Sequence, residues 1–326
     1  MQFKKIALAL AGFAGLCGAL SGGPAHAADY PTKPVTVLAP FAAGGTVDIV
    51  ARIIGQKLSQ DLGQSFLVDN RGGAGGTIAT GMLAHATPDG YTLMVHHVGL
   101  AFNASLYDKL PFDTAKDVVP VAYIGATPNV LVVTNSLPVK TVGEFLALAR
   151  KDPGAINYGS GGMGSAGHLP MEVLQGSTGI KLTHVPYKGS GPAITDLMSG
   201  QIQAMLLTIP AVMPFIQAGK LRAIATSGSK RTPALPNLPT LDETGVKGFD
   251  YAPWYGYFAP AGTPPAVLQK LHAAVNKVLA DPEVANKLGQ QGLEVKALSR
   301  AQFGEMVTVD IAQWGKTIRA LGIKGE

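Results

Sequence analysis

Pro34-Val35-Thr36-Val37-Leu38-Ala39-Pro40-Phe41-Ala42-Ala43-Gly44-Gly45-Thr46-Val47-Asp48 is the stretch on which the fold turns. Val35 to Ala39 is an apolar run with the length of a buried strand. From Val47 to Leu62, apolar residues fall at 50, 53, 54, 58 and 62, the spacing of one helix face. Between the two, Gly44 and Gly45 let the backbone turn without side-chain obstruction. Thr46 is placed to cap the helix, and Asp48 favours its positive end. Strand, glycine loop and helix, repeated along a chain, make an α/β fold with helices on both faces of the sheets.

The order does recur. Phe66–Val68, Tyr91–Val95, Val118–Ile124, Val130–Val133, Ile156–Tyr158, Thr183–Val185, Gln203–Leu207 and Leu221–Thr226 read as strands. Thr141 with Glu144 is a capping box opening a helix through Arg150, and a further helix runs from Ala166 to Leu174. The C-terminal quarter reads as helices starting at Pro264-Pro265, at Asp281-Pro282 and at Ser299, which has Gln302 three residues on. In such folds ligands bind outside the carboxyl ends of the strands, which singles out two strand-to-helix loops. One is Pro40–Asp48; the other is Tyr158-Gly159-Ser160-Gly161-Gly162-Met163-Gly164-Ser165-Ala166. Each helix start presents uncommitted N–H groups and a partial positive charge, which suits a carboxylate or a phosphate. Either loop alone is equally well explained by glycines making tight turns. Two of them, more than a hundred residues apart, favour a cleft that grips an anion from both sides.

Composition restricts the setting. The chain has 326 residues, 47% hydrophobic and 14% charged, with 41 glycines and 23 prolines but no G-X-Y repeat, which excludes disorder and collagen. Lys4 and Lys5, the apolar stretch Ile6 to Leu20 and the small-x-small site Ala25-His26-Ala27 predict a signal peptide over residues 1–27. Its apolar stretch is shorter than the roughly 20 residues a membrane-spanning helix needs. The single cysteine, Cys17, lies inside that stretch and lacks the small preceding residue of a lipid-attachment site. Cleavage after Ala27 therefore leaves a secreted chain without cysteine, which rules out a disulfide framework and a Cys-rich zinc module. The net charge is +5 with no basic cluster, so nucleic acid is not a partner.

Catalytic and cofactor signatures fail on inspection. Gly159-x-Gly161-x-x-Gly164 has dinucleotide-binding spacing, yet the next strand, Thr183-His184-Val185, lacks the acidic residue that pattern requires. No serine sits in G-x-S-x-G, Gly315-Lys316-Thr317 lacks the rest of a P-loop, and no histidine belongs to H-E-x-x-H. Adjacent His96 and His97 point to opposite faces of their strand. No cofactor and no metal is expected; the chain binds something and does no chemistry.

The chain resembles the Bug-type extracytoplasmic solute receptors, the substrate-binding subunits of tripartite tricarboxylate transporters. The resemblance spans nearly the whole mature chain. Its carriers are Pro34–Val37 with Pro40–Asp48, Val68-Asp69-Asn70-Arg71 with Gly75-Gly76, and Pro88-Asp89-Gly90-Tyr91-Thr92-Leu93. They continue through Leu106-Tyr107 with Leu110–Asp113, Tyr158–His168, Val185-Pro186-Tyr187-Lys188-Gly189, Ala218–Ala223, Leu238-Pro239-Thr240 and Ala259–Pro264. The family implies a two-lobed, type II-like periplasmic binding protein of the Venus-flytrap kind. Lobe 1 would hold residues 28–127 plus 253–326 and lobe 2 residues 128–252, with two hinge crossings. It also implies a monomer that binds a small carboxylate by backbone amides of two facing loops. Those loops map onto Phe41, Ala43, Gly44 and Thr46, and onto Ser160, Gly161, Gly164, Ser165 and Ala166. Delivery to the small and large membrane subunits of an ion-gradient-driven permease is implied in turn.

Further positions depart from the family pattern. His97, at the cleft edge where small polar residues are usual, either touches the far end of the ligand or is a structural histidine. Leu207 and Thr208 make one wall less acidic and more apolar than is common, which tilts the ligand toward an aromatic or otherwise apolar acid. Trp254, beside Tyr255, either stacks on a planar ligand or packs between the lobes. Two other functions stay open: presentation of the ligand to a membrane sensor kinase, and a secreted serine hydrolase using Ser160.

Overall fold

The computed structural model describes residues 30–325; the expected signal peptide lies outside the described residues. In chain order, the strands of the first half are β1 (Val35–Ala39), β2 (Phe66–Asn70), β3 (Thr92–His97), β4 (Val118–Ala126) and β5 (Asn129–Thr134). The remainder are β6 (Asn157–Ser160), β7 (Thr183–Pro186), β8 (Ala204–Thr208), β9 (Leu221–Thr226), β10 (Trp254–Pro260) and β11 (Glu294–Val295). Between them run α1 (Thr46–Leu62), α2 (Thr77–Ala84), α3 (Gly99–Leu106), α4 (Val142–Lys151) and α5 (His168–Thr178). Five more follow: α6 (Ser190–Ser199), α7 (Ile209–Gln217), α8 (Pro265–Leu279), α9 (Pro282–Gln290) and α10 (Arg300–Leu321).

The strands form two sheets, one per lobe, ordered β11-β4-β10-β3-β1-β2 and β7-β6-β8-β5-β9. β1 runs parallel to β2 and β3, and β6 runs parallel to β7 and β8. Apart from the two-residue edge strand β11, which is antiparallel to β4, the exceptions are the two strands that arrive from the other lobe. β5 is antiparallel to β8 and β9, and β10 is antiparallel to β3 and β4. The reason is directional: the parallel strands end at the cleft, so a strand entering from the cleft must run away from it. This is a two-lobed α/β periplasmic-binding-protein fold, with the loops after β1 and β6 at the carboxyl ends of their strands.

Apolar periodicity accounts for the amphipathic elements. Along α1, Val47, Val50, Ala51, Ile54 and Leu58 are buried under the first sheet, and Leu62 ends the helix before the left-handed Gly63. The capping boxes at Thr141/Glu144 and Ser299/Gln302 form as the sequence spacing predicts. Helix α7, Ile-Pro-Ala-Val-Met-Pro-Phe-Ile-Gln, is apolar nearly all round, and α2 exposes Ile78 and Met82 while burying Ala79, Thr80 and Leu83. A hydrophobic cluster runs through both lobes, taking Phe102 and Phe303 from the first and Phe145 and Tyr158 from the second. The C-terminal helix α10 helps to join them. Its Trp314 meets Phe102 edge-on at 4.6 Å and Tyr251, on the return crossing, at 5.7 Å.

Candidate functional site

The loops after β1 and β6 face each other and enclose a cleft of about 390 Å³, counting its open mouth. Lobe 1 lines it with Phe41, Gly45, Thr46, Val47, His97 and Tyr255; lobe 2 supplies Gly161, Ser165, Ala166, Gly167, Ser190, Leu207 and Thr208. None of these side chains is formally charged. Positive potential comes instead from helix ends. Four helices begin at the cleft, and their N-cap residues Gly45 (α1), Gly167 (α5), Gly189 (α6) and Thr208 (α7) make no side-chain cap. Helices α4, α9 and α10, which begin elsewhere, are capped by Thr141, Asp281 and Ser299, whereas α2, α3 and α8 also lack a side-chain cap. The N–H groups of Thr46, Val47, Ala166 and Gly167 make no hydrogen bond among the described residues. Ser165 Oγ is buried without a partner. Orphan donors shielded from water cost about 1–3 kcal/mol each, and each helix end carries roughly half a positive charge. Such a surface suits an anion that accepts hydrogen bonds from several directions.

Seven of the residues expected from sequence come together here: Phe41, Thr46, His97, Gly161, Ser165, Ala166 and Thr208. Thr46 has a different task from the cap it was expected to be. The cap position falls on Gly45, and Thr46 Oγ1 lies 2.6 Å from Thr208 Oγ1 in the opposite lobe. Ala43 and Gly44 stand behind the lining, where the Gly44 N–H donates to Asp48 Oδ2 at 3.1 Å and is spent on the loop itself. Gly164 donates its N–H to His168 Nδ1, with φ +73° that favours glycine. Ser160 is fully buried, and its Oγ lies 2.7 Å from His184 Nε2 while accepting the Gly162 N–H at 3.0 Å. That serine shapes the loop and is closed to any substrate. Trp254 is turned away: its indole N–H donates to Asp310 Oδ2 and its ring meets Phe303 edge-on. The next residue along β10, Tyr255, is the one that reaches the cleft, because successive side chains of a strand face opposite ways.

Sequence reasoning does not single out Val47, Gly167 or Ser190. Ser190 had a legible signal, since β7 is followed by Gly189-Ser190-Gly191, the same strand-glycine-helix order as β1 and α1.

The lobes meet main chain to main chain, the Ala42 N–H donating to the Lys188 carbonyl at 3.0 Å. Gly75, at φ +60°, is held so near Met163 that a Cβ would collide with the Met163 carbonyl. These contacts define a closed cleft.

Histidines pack around it in neutral form. Burial pushes His96 down to about 3, His168 to about 3 and His184 to about 4, and holds His97 well below the usual range. His168 and His184 sit with ring centres 4.4 Å apart, and Tyr158 stacks on His184 at 4.8 Å, which fixes the floor under the 160–168 loop. Among the described residues no group of His, Cys, Asp or Glu is arranged to hold a metal ion.

Comparison with known proteins bears on this geometry. Residues 50–323 match the family described as "Tripartite tricarboxylate transporter family receptor". The chain is 35% identical over 303 residues to protein BugT of Bordetella pertussis, covering 92% of this chain and 93% of that one. Among solved structures, Rpa4515 of R. palustris with adipate is 38% identical with a TM-score of 0.88, covering 90% of this chain and 99% of the other. MatC from Rhodopseudomonas palustris, with bound malate, is 34% identical with a TM-score of 0.85, covering 89% and 100%. The shared fold, the near-complete coverage and the cleft of free amides agree, and the chain belongs to the tripartite tricarboxylate transporter receptor family of Bug-type periplasmic substrate-binding proteins, which are receptors and not enzymes.

Proposed function

We propose that this receptor, as a monomer, captures a small carboxylate whose remaining part is apolar or aromatic. It then presents the closed form to the small and large membrane subunits of a tripartite tricarboxylate-type permease. The observation that carries the reading is the convergence of four uncapped helix ends on a cleft without a cationic side chain. Phe41, Leu207 and Tyr255 supply the apolar wall, and Ser165 with the free amides of 46, 47, 166 and 167 supplies the grip. The adipate and malate of the two solved relatives are likewise small carboxylates, which supports the carboxylate part of the reading. We place the lobe boundaries at 127/128 and 252/253, where β4 gives way to β5 and the chain returns to β10. The mature protein would start at residue 28 in the periplasm.

Thermal melting of residues 28–326 against a panel of aliphatic and aromatic carboxylates, each with its neutral ester, tests the reading. A ligand at 100 times its dissociation constant adds about 2.7 kcal/mol of stability. The expected result is a shift by some acids that their fully esterified forms do not produce. Equal shifts by acid and full ester would refute the carboxylate grip.

A further inference from the structure

A second cavity, of about 300 Å³ counting its mouth, is walled by Pro170 and Val173 of α5, by Phe249, Asp250 and Tyr251 on the segment leading to β10, and by Trp314 of α10. It shares no residue with the carboxylate cleft. Three of its walls are aromatic. Tyr251 and Trp314 meet at 5.7 Å with their planes at 88°, so they form adjacent walls of a corner and not a stack. The segment carrying Phe249 and Tyr251 is pinned: the Tyr251 N–H donates to the Ser227 carbonyl at 2.7 Å, and Ser227 Oγ donates to the Tyr251 carbonyl at 2.6 Å. Between these two buried rings Asp250 is exposed, and its Oδ1 accepts the Ser229 N–H at 2.9 Å. Oδ2 makes no hydrogen bond among the described residues, and Lys247, three positions earlier, turns to Asp242 at 3.7 Å. Among the described residues no lysine, arginine or histidine lines this cavity.

We propose that this cavity binds a small organic cation with a methylated or quaternary ammonium head. The faces of aromatic rings carry the negative part of their quadrupole and attract such a head, Trp most strongly. Methyl groups on the nitrogen spread its charge and remove its N–H donors, so the head gains from aromatic and aliphatic walls that offer few acceptors. Pro170 and Val173 supply apolar contact, and the carboxylate of Asp250 supplies the opposite charge. A carboxylate ligand would be repelled by Asp250, so the cavity complements the cleft in sign and does not duplicate it.

Trp254 and Trp314 are the two tryptophans of the chain, so Trp254→Phe leaves Trp314 as the sole indole reporter, in the cavity wall. The test is fluorescence titration of that variant, at fixed ionic strength, with choline and with dimethylbutanol, the isostere that has carbon in place of the charged nitrogen. Calorimetric titration of the wild type makes the same comparison without any substitution. Choline should change the emission saturably, and the uncharged isostere should bind at least about tenfold more weakly. Asp250→Asn in the same background should weaken choline binding by about threefold and leave the isostere unchanged. Asp250 lies outside the carboxylate cleft, so this arm excludes a response relayed from there. No saturable response to choline, equal binding of the two probes, or unchanged choline binding in D250N overturns the proposal, and none of these results touches the carboxylate reading.

Discussion

Gly191→Ala separates the stability of the lobes from the energetics of their closure. Gly191 is the second residue of α6, where alanine is the better helix former by about 0.5–1 kcal/mol. The added methyl carbon would meet nothing in its own lobe; its neighbour within 3 Å is the Ala43 carbonyl oxygen of lobe 1, at 2.5 Å. An ordinary C···O approach is about 3.3–3.6 Å, so the facing backbones must part by roughly an ångström. That opening breaks the Thr46–Thr208 contact of 2.6 Å and the Ala42–Lys188 backbone bond of 3.0 Å. Each is worth about 1 kcal/mol net, so closure loses about 2 kcal/mol, which corresponds to roughly thirtyfold weaker binding. Calorimetric titration with whichever carboxylate shifts the wild type, together with urea unfolding of the ligand-free protein, reads both quantities. The expected pairing is unchanged or raised ligand-free stability with weakened binding. Wild-type affinity in a variant of undiminished stability would show that this seam is not the closed state's contact, and the reasoning would fall.

Two other outcomes follow from the same structure. His96 and His168 are held to about 3 by burial against an ordinary value near 6.5, so below pH 6.5 the unfolded chain takes up protons that the fold refuses. Their depressed values therefore make stability fall as pH drops from about 6.5 toward 3, by about 2 kcal/mol for each of the two at pH 5. Urea midpoints measured at pH 7.5 and pH 5 check this, and coincident curves would contradict the neutral burial of these rings. Trp254→Phe should lower stability by about 1–2 kcal/mol, because Asp310 loses its indole donor. Ligand affinity should stay within about twofold, since Tyr255 and not Trp254 lines the cleft; a large loss of affinity with little change in the melt would return Trp254 to the site.

Much of this molecule is local and therefore legible in one dimension. Strand, glycine loop and helix at 35–62 depend on apolar spacing and on backbone freedom at Gly44 and Gly45. The boxes at Thr141/Glu144 and Ser299/Gln302 close within a single turn. Those signals suffice for the α/β class and for two loops that line the cleft. Helices α2, α3 and α7 escape such a reading because apolar residues occupy more than one face, as with the exposed Ile78 and Met82 of α2. What only the tertiary structure decides is which partner each polar group finds. Thr46 spends its hydroxyl on Thr208, 162 residues away, in place of its own helix. Ser160 is committed to His184, and the register of β10 against β3, which pairs Tyr255 with His97, sends Tyr255 inward and Trp254 to Asp310. Hydrogen bonds saturate and act over one contact distance, so a donor's availability to a ligand is known only when every competitor brought near by folding has been placed.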